Sequence, residues 1–110
     1  MRYTVDIDGT ICTPGTTEET RYTGAIPIQE RIDVINQFYD DGHYITYLTA
    51  RGMGRFKNSR MLSHNNFYDF TYNQLKEWGC KFHEFHLGKP SGDYYIDDKG
   101  DNANEFFSPN

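Results

Sequence analysis

Strand-like and helix-like patterns alternate along this chain, and that alternation limits the folds open to it more than any other feature. The first run, Tyr3 to Ile7, is short and β-rich, and Asp8-Gly9-Thr10 marks a turn directly after it. Residues 13 to 25 contain Pro14, Gly15, several threonines, Glu18, Glu19 and Gly24, and read as a loop or a small hairpin. Pro27 then stands at the first position of a helix. In it Ile28, Ile32, Ile35 and Phe38/Tyr39 recur at helical spacing, and Gly42 caps its end. A second strand covers His43 to Leu48 and ends at Thr49, and residues 50 to 65 look irregular. A second helix is expected from about Phe67 to Trp78, with Phe67, Phe70/Thr71, Gln74/Leu75 and Trp78 on one face and Gly79 closing it. A third strand is expected over Lys81 to Leu87, a fourth over Tyr94 to Ile96, and one short helix within the last ten residues.

Strand, helix, strand, helix, strand implies parallel pairing through right-handed crossovers, so the expected class is a small α/β sheet. The length of 110 residues gives room for one domain, spanning 1 to 110. No run of about eighteen apolar residues exists, and the first ten residues carry acids rather than a signal-type apolar stretch. With only Cys12 and Cys80, a disulfide framework is not expected, and a cytoplasmic location is the default expectation. Nine Tyr, eight Phe and one Trp stand against fourteen Ile, Leu and Val in total, so aromatic rings must supply much of the core. The net charge of −5 argues against a general nucleic-acid coat protein, which would show a basic footprint.

In open α/β sheets, ligands bind beyond the carboxyl ends of the strands. The first strand ends in Asp6 and Asp8, the second in Thr49, and the fourth in Asp97 and Asp98. Four carboxylates meeting at one sheet edge would repel each other unless a cation sat among them. A hard, oxygen-lined pocket suits Mg²⁺, which works beside phosphates.

The run DIDGT at Asp6–Thr10, with Thr49 in YLTARG, Lys89 in LGKPSGD and Asp97-Asp98 in YYIDDKG, resembles the haloacid dehalogenase (HAD) superfamily. The motifs span nearly the whole chain in the superfamily's order, and the run from QLKEWG to YYIDDK is similar to small capless phosphatases of capsular and surface-polysaccharide biosynthesis. The resemblance implies a Rossmann-like three-layer fold with a mostly parallel sheet of about four strands. It implies Asp6 as the nucleophile that takes the phosphoryl group, through an aspartyl-phosphate. Asp8 would protonate the leaving oxygen and then activate water. Gly9 lets the chain turn, and Thr49 would bond the transferring oxygens. Gly9, Thr10, Ala50 and Arg51 are the implied substrate-binding residues. Mg²⁺ would sit on Asp6, Asp8 (through its backbone carbonyl), Asp97 and Asp98, with Asp98 the direct ligand of that pair. Lys89 matches the superfamily's lysine. Only nine positions separate it from Asp98, which is short for a crossover helix, so Lys99 is the substitute candidate.

Arg51, Arg55, Lys57 and Arg60 form a basic cluster after Thr49, and guanidinium groups suit phosphate recognition. Neither interval that could carry a cap is long enough for a folded domain. The site should therefore be open, or covered by residues 13 to 25 and 52 to 65, or by a neighbouring subunit in a homo-oligomer. Glu18 and Glu19 read as solvated loop charges, Cys12 as a bystander thiol, and His43 and His64 as structural or solvated; His83 and His86, three apart on a strand, point to opposite faces and are not expected to share a metal. The expected function is a Mg²⁺-dependent phosphatase acting on a small phosphorylated metabolite, such as a sugar phosphate. The alternatives are a nucleotidase or nucleic-acid-end phosphatase, which the acidic balance disfavours, and a non-catalytic metal- or phosphate-binding module. No membrane partner is expected.

Overall fold

A computed structural model describes residues 1–90, 92, 96 and 98–108. Its elements run β1 (Arg2–Asp6), β2 (Cys12–Thr13), β3 (Ile26–Pro27), α1 (Gln29–Asp40), β4 (Tyr44–Thr49), α2 (Arg60–Glu77), β5 (Glu84–Leu87) and α3 (Ala103–Phe106). Three strands form a parallel sheet in the order β1-β4-β5, with Asp6 opposite Leu48 and Thr49 opposite Leu87. All three strands therefore point their carboxyl ends at one edge. The chain is mixed α/β, as the alternation of patterns requires.

The sheet forms because its strands alternate. In β4, Ile45, Tyr47 and Thr49 are buried, and the residues between them are half-covered. This central strand is paired along both edges, with one face buried and the other half-covered, an environment that suits branched and aromatic side chains. In α1, Ile32 and Ile35 are the fully buried pair, one helical turn apart. They join Val5, Ile7, Ile11, Tyr47, Leu75 and Phe85 in one core, with Tyr3, Phe38, Tyr68, Trp78 and Phe82 packed around it. The buried centre is mainly aliphatic, with Tyr47 and Phe85 its aromatic members, and most described rings pack at its perimeter instead: Tyr3 stacks on Phe38 at 4.8 Å and Tyr68 on Phe85 at 4.7 Å.

Several boundaries differ from the sequence expectation. Pro27 does not open a helix. It pairs with Cys12 in a two-residue antiparallel ladder, and Ile28 precedes the first helical residue. That ladder ties off residues 13 to 25 as a small hairpin-like loop. Helix α2 starts at Arg60, well before Phe67, because Ser59 accepts a hydrogen bond from the Leu62 amide at 3.3 Å and caps it. The last six residues of the stretch expected to be irregular, 60 to 65, are therefore helical, and residues 51 to 58 are turns. Strand β5 covers only Glu84–Leu87, since residues 81 to 83 are held by contacts outside the ladder, such as the Lys81 amide donating to Asn36 Oδ1 at 2.8 Å. Of the expected fourth strand, Tyr94 and Tyr95 lie outside the described residues, and Ile96 is exposed with no strand assigned. Among the described residues no helix is long and apolar enough to cross a membrane.

Candidate functional site

The turn after β1 builds the floor of the site. Ile7 accepts from the amides of Thr10 and Ile11, and the Gly9 amide donates to the Cys12 carbonyl at 2.9 Å. Gly9 sits at φ +81, a conformation that side-chain-bearing residues rarely adopt. The reversal leaves Asp6 and Asp8 on the strand-end surface while Ile7 and Ile11 enter the core. Arg31 of α1 donates to the Thr10 carbonyl at 3.0 Å and pins the turn to the helix.

The two carboxylates have different surroundings. Asp8 is held from several sides. Arg51 Nη2 lies 3.0 Å from its Oδ1 and Arg51 Nε 3.0 Å from its Oδ2, a two-pronged ion pair. The Thr49 hydroxyl donates to Oδ2 at 3.2 Å, and the Cys12 thiol faces Oδ1 at 3.7 Å. Arg51 is itself fully buried. Its Nη1 donates to Thr71 at 3.3 Å, and its guanidinium stands 4.8 Å from the Tyr22 ring centre and 5.8 Å from that of Phe70. The Arg51 amide in turn donates to the Thr49 hydroxyl at 3.1 Å.

Asp6 keeps 37% of its side chain exposed, and its Oδ2 lies 3.4 Å from Lys89 Nζ. Burial pushes the Asp6 carboxyl above the usual carboxylate range. Lys89 opposes that push, and Asp8 adds to it. The Lys89 amide donates to the Thr49 carbonyl at 3.2 Å, so the chain after β5 is stitched to the end of β4. Gly88, at φ +100, makes the bend there, and a Cβ at that position would stand 3.0 Å from the Arg60 side chain.

A cavity of about 450 Å³ opens over these groups. Asp6, Asp8, Ala50, Arg51 and Lys89 line it, so five of the sequence-designated residues come together. Thr49 is buried behind Asp8 rather than facing the cavity. Gly9 and Thr10 shape the turn and are not among its described lining residues, because the Gly9 reversal carries the chain away. Asp98 is exposed and outside the described lining, and Asp97 lies outside the described residues. Arg55 lines the cavity, whereas Lys57 and Arg60 do not.

Residues 13 to 25 contribute more than their sequence announces. Glu18, Arg21 and Tyr22 line the cavity, and Glu18 is exposed as the sequence suggests. The loop is fastened by Gln74 of α2, which donates to the Tyr22 carbonyl at 2.8 Å, and by Tyr22 meeting Phe67 edge-on at 5.4 Å. A Cβ on Gly15 would collide with the Thr20 carbonyl, so glycine is required for the loop to fold back on itself. Nothing in the local pattern marks Arg21 or Tyr22, because their importance comes from a helix some fifty residues away.

Among the described residues no three His, Cys, Asp or Glu side chains gather as a metal-holding group. The side chain of Asp8 is committed to Arg51 and Thr49. A hard cation would therefore find the Asp6 carboxylate here, an oxygen donor of the kind Mg²⁺ takes.

No family model matches the chain, and no curated protein matches it. The chain is similar to a crystal structure of a structural-genomics target from Vibrio cholerae. The TM-score is 0.87 and the identity 25%, with 99% of this chain and 89% of that one covered.

Proposed function

We propose that this chain is a phosphomonoester hydrolase that works through an aspartyl-phosphate on Asp6 and acts on a small phosphorylated metabolite. In this reading the fold is a small Rossmann-like core without a cap, completed by a fourth strand. The observation that carries it is the division of labour between two carboxylates two residues apart. Asp6 faces the cavity beside Lys89, and Asp8 is locked next to it by Arg51 and Thr49.

An Asp6 carboxylate oxygen attacks phosphorus and the ester P–O bond breaks. The leaving oxygen takes a proton from Asp8, which first takes that proton from solvent at its exposed edge and gives up one arm of the Arg51 fork as it does so. Water then gives its proton to Asp8 and attacks the same phosphorus, the Asp6–phosphorus bond breaks, and inorganic phosphate departs. Lys89 offsets the negative charge of nucleophile and phosphoryl group at the moment they meet. Arg51 holds Asp8 in place. Asp6 and, by the family resemblance, the Asp8 carbonyl would hold Mg²⁺ at this cavity, whereas Asp98 stands outside its described lining. When bound, the ion would neutralise charge between the two anions.

The test is p-nitrophenyl phosphate hydrolysis with Mg²⁺ and with EDTA, for the wild type and for Asp6→Asn. Mg²⁺-dependent turnover that falls by at least about a thousandfold in Asp6→Asn is expected. Undiminished turnover in that variant would remove Asp6 as nucleophile. No turnover of this ester or of a panel of phosphorylated metabolites would remove the hydrolase reading.

A further inference from the structure

Two arginines line the same cavity with no carboxylate partner among the described residues. Arg21 comes from the loop between β2 and β3, and Arg55 from the turns after β4. Both are exposed, and among the described residues neither makes an ion pair. Each guanidinium stands over a ring, Arg21 at 5.8 Å from the Tyr22 centre and Arg55 at 5.6 Å from that of Phe67. Those rings also meet each other edge-on, so the two arginines are mounted on one aromatic ledge.

The charge balance of the cavity points the same way. Lys89 offsets Asp6, and Arg51 offsets Asp8. What remains on the described lining is Arg21 and Arg55 against Glu18. Glu19 joins Glu18, Thr17 and Arg55 around an adjoining hollow, outside the main cavity. Among the described lining residues the cavity thus carries an excess of one positive charge, although the whole chain carries −5. A cationic cleft of this kind concentrates anions, and planar guanidinium forks match carboxylate and phosphate oxygens.

We propose that Arg21 and Arg55 together bind a second anionic group of the substrate, so that the site selects phosphomonoesters bearing a further negative charge remote from the ester. This rests on the hydrolase reading of the same cavity. Lys89 and Asp6 meet the phosphoryl group at the strand ends, and the two arginines meet the other end of the molecule. A substrate with one anionic group would leave the ledge unused.

The experiment is calorimetric binding to the full chain carrying Asp6→Asn, with two matched pairs of probes. One pair is 3-phosphoglycerate against glycerol 3-phosphate, where a carboxylate replaces a hydroxymethyl group. The other is fructose 1,6-bisphosphate against fructose 6-phosphate. The doubly anionic member of at least one pair is expected to bind about tenfold tighter or more, as a charge-assisted contact supplies. Which pair responds tells whether the second group is a carboxylate or a phosphate. Adding Arg21→Ala and Arg55→Ala should erase the difference, and Arg→Lys at both positions should restore part of it. Equal affinities within both pairs, no binding by any probe, or a preference that survives the double alanine change would overturn the proposal. Because binding needs no turnover, its failure is distinct from loss of the hydrolase reading, which the p-nitrophenyl phosphate assay decides.

Discussion

Two ion pairs of similar length sit in two different parts of this molecule. At the carboxyl edge of the sheet, Arg51 holds Asp8 at 3.0 Å with its own side chain fully buried and that of Asp8 24% exposed. Near the end of α1, Lys81 holds Asp40 at 2.8 Å with 48% of both side chains in water. Distance alone would rank the second pair higher. The surroundings reverse that order. Arg51 has Thr71, Tyr22 and Phe70 about it, and Asp8 has Thr49 and Cys12, so each charge is met by several fixed groups. Water competes for Lys81 and Asp40 and screens them. The first pair sets the geometry of a site, and the second does little more than decorate a helix end.

Removing Arg51 should show the larger effect. Arg51→Ala leaves Asp8 without its counter-charge and empties space between two rings. A loss toward the low end of about 3–5 kcal/mol is expected, because Asp8 keeps some access to water. Urea unfolding measures it. If the variant does not fold, Arg51→Leu combined with Asp8→Asn keeps the comparison alive, since removing both charges should cost less than removing one. A loss below about 1 kcal/mol for Arg51→Ala would erase the contrast between the two regions.

The cysteines sharpen the same comparison, since Cys12 lies against Asp8 and Cys80 lies just before Lys81. Burial pushes both thiols up to about 12, and for Cys12 the neighbouring Asp8 charge adds to it. The thiolate is the reactive form. Iodoacetamide at pH 8 should therefore modify both at least about a hundredfold more slowly in the folded chain than in urea. Linkage follows with a definite sign. Unfolded thiols lose protons near pH 9, and the folded ones hold theirs until about pH 12. Their contribution is intact below pH 9 and is lost as pH rises toward about 12, so the melting temperature should decline across that window. Rapid labelling of Cys12 alone would show that the site edge opens to water more than its hydrogen bonds suggest.

Lys81→Ala should have the smallest effect, below about 1 kcal/mol, and the effect should vanish in 1 M NaCl. A larger, salt-resistant loss would mean that the exposed pair is structural after all.

Much of the site was legible before any coordinates. Asp6, Asp8, Thr49 and Lys89 stand at strand ends, and period-two alternation identifies strands with little help from context. Ser59 could have announced the early start of α2, because it is a good N-cap ahead of a long stretch without Pro or Gly. Pro27 misled, since a proline suits a first helical turn and an edge strand alike, and only pairing with Cys12 decides between them. Arg51 lines the cavity, but its contact with Asp8 was not legible. A basic residue after a strand is compatible with gripping a ligand or a neighbouring carboxylate, and the choice depends on which lies within reach.

The amino-acid order by itself determined the alternation of elements, the parallel sheet and the carboxylates at its edge. Each of these follows from local periodicity and from residues near one another in the chain. Tertiary structure alone decided that Tyr22 and Arg21 belong to the cavity, that Asp8 is locked while Asp6 faces the opening, and that Arg51 is spoken for. Those outcomes depend on contacts across some 20 to 50 residues, between Arg51 and Asp8, Arg51 and Thr71, or Gln74 and Tyr22. Such contacts form only once the core has brought the loops together, and no local pattern encodes them.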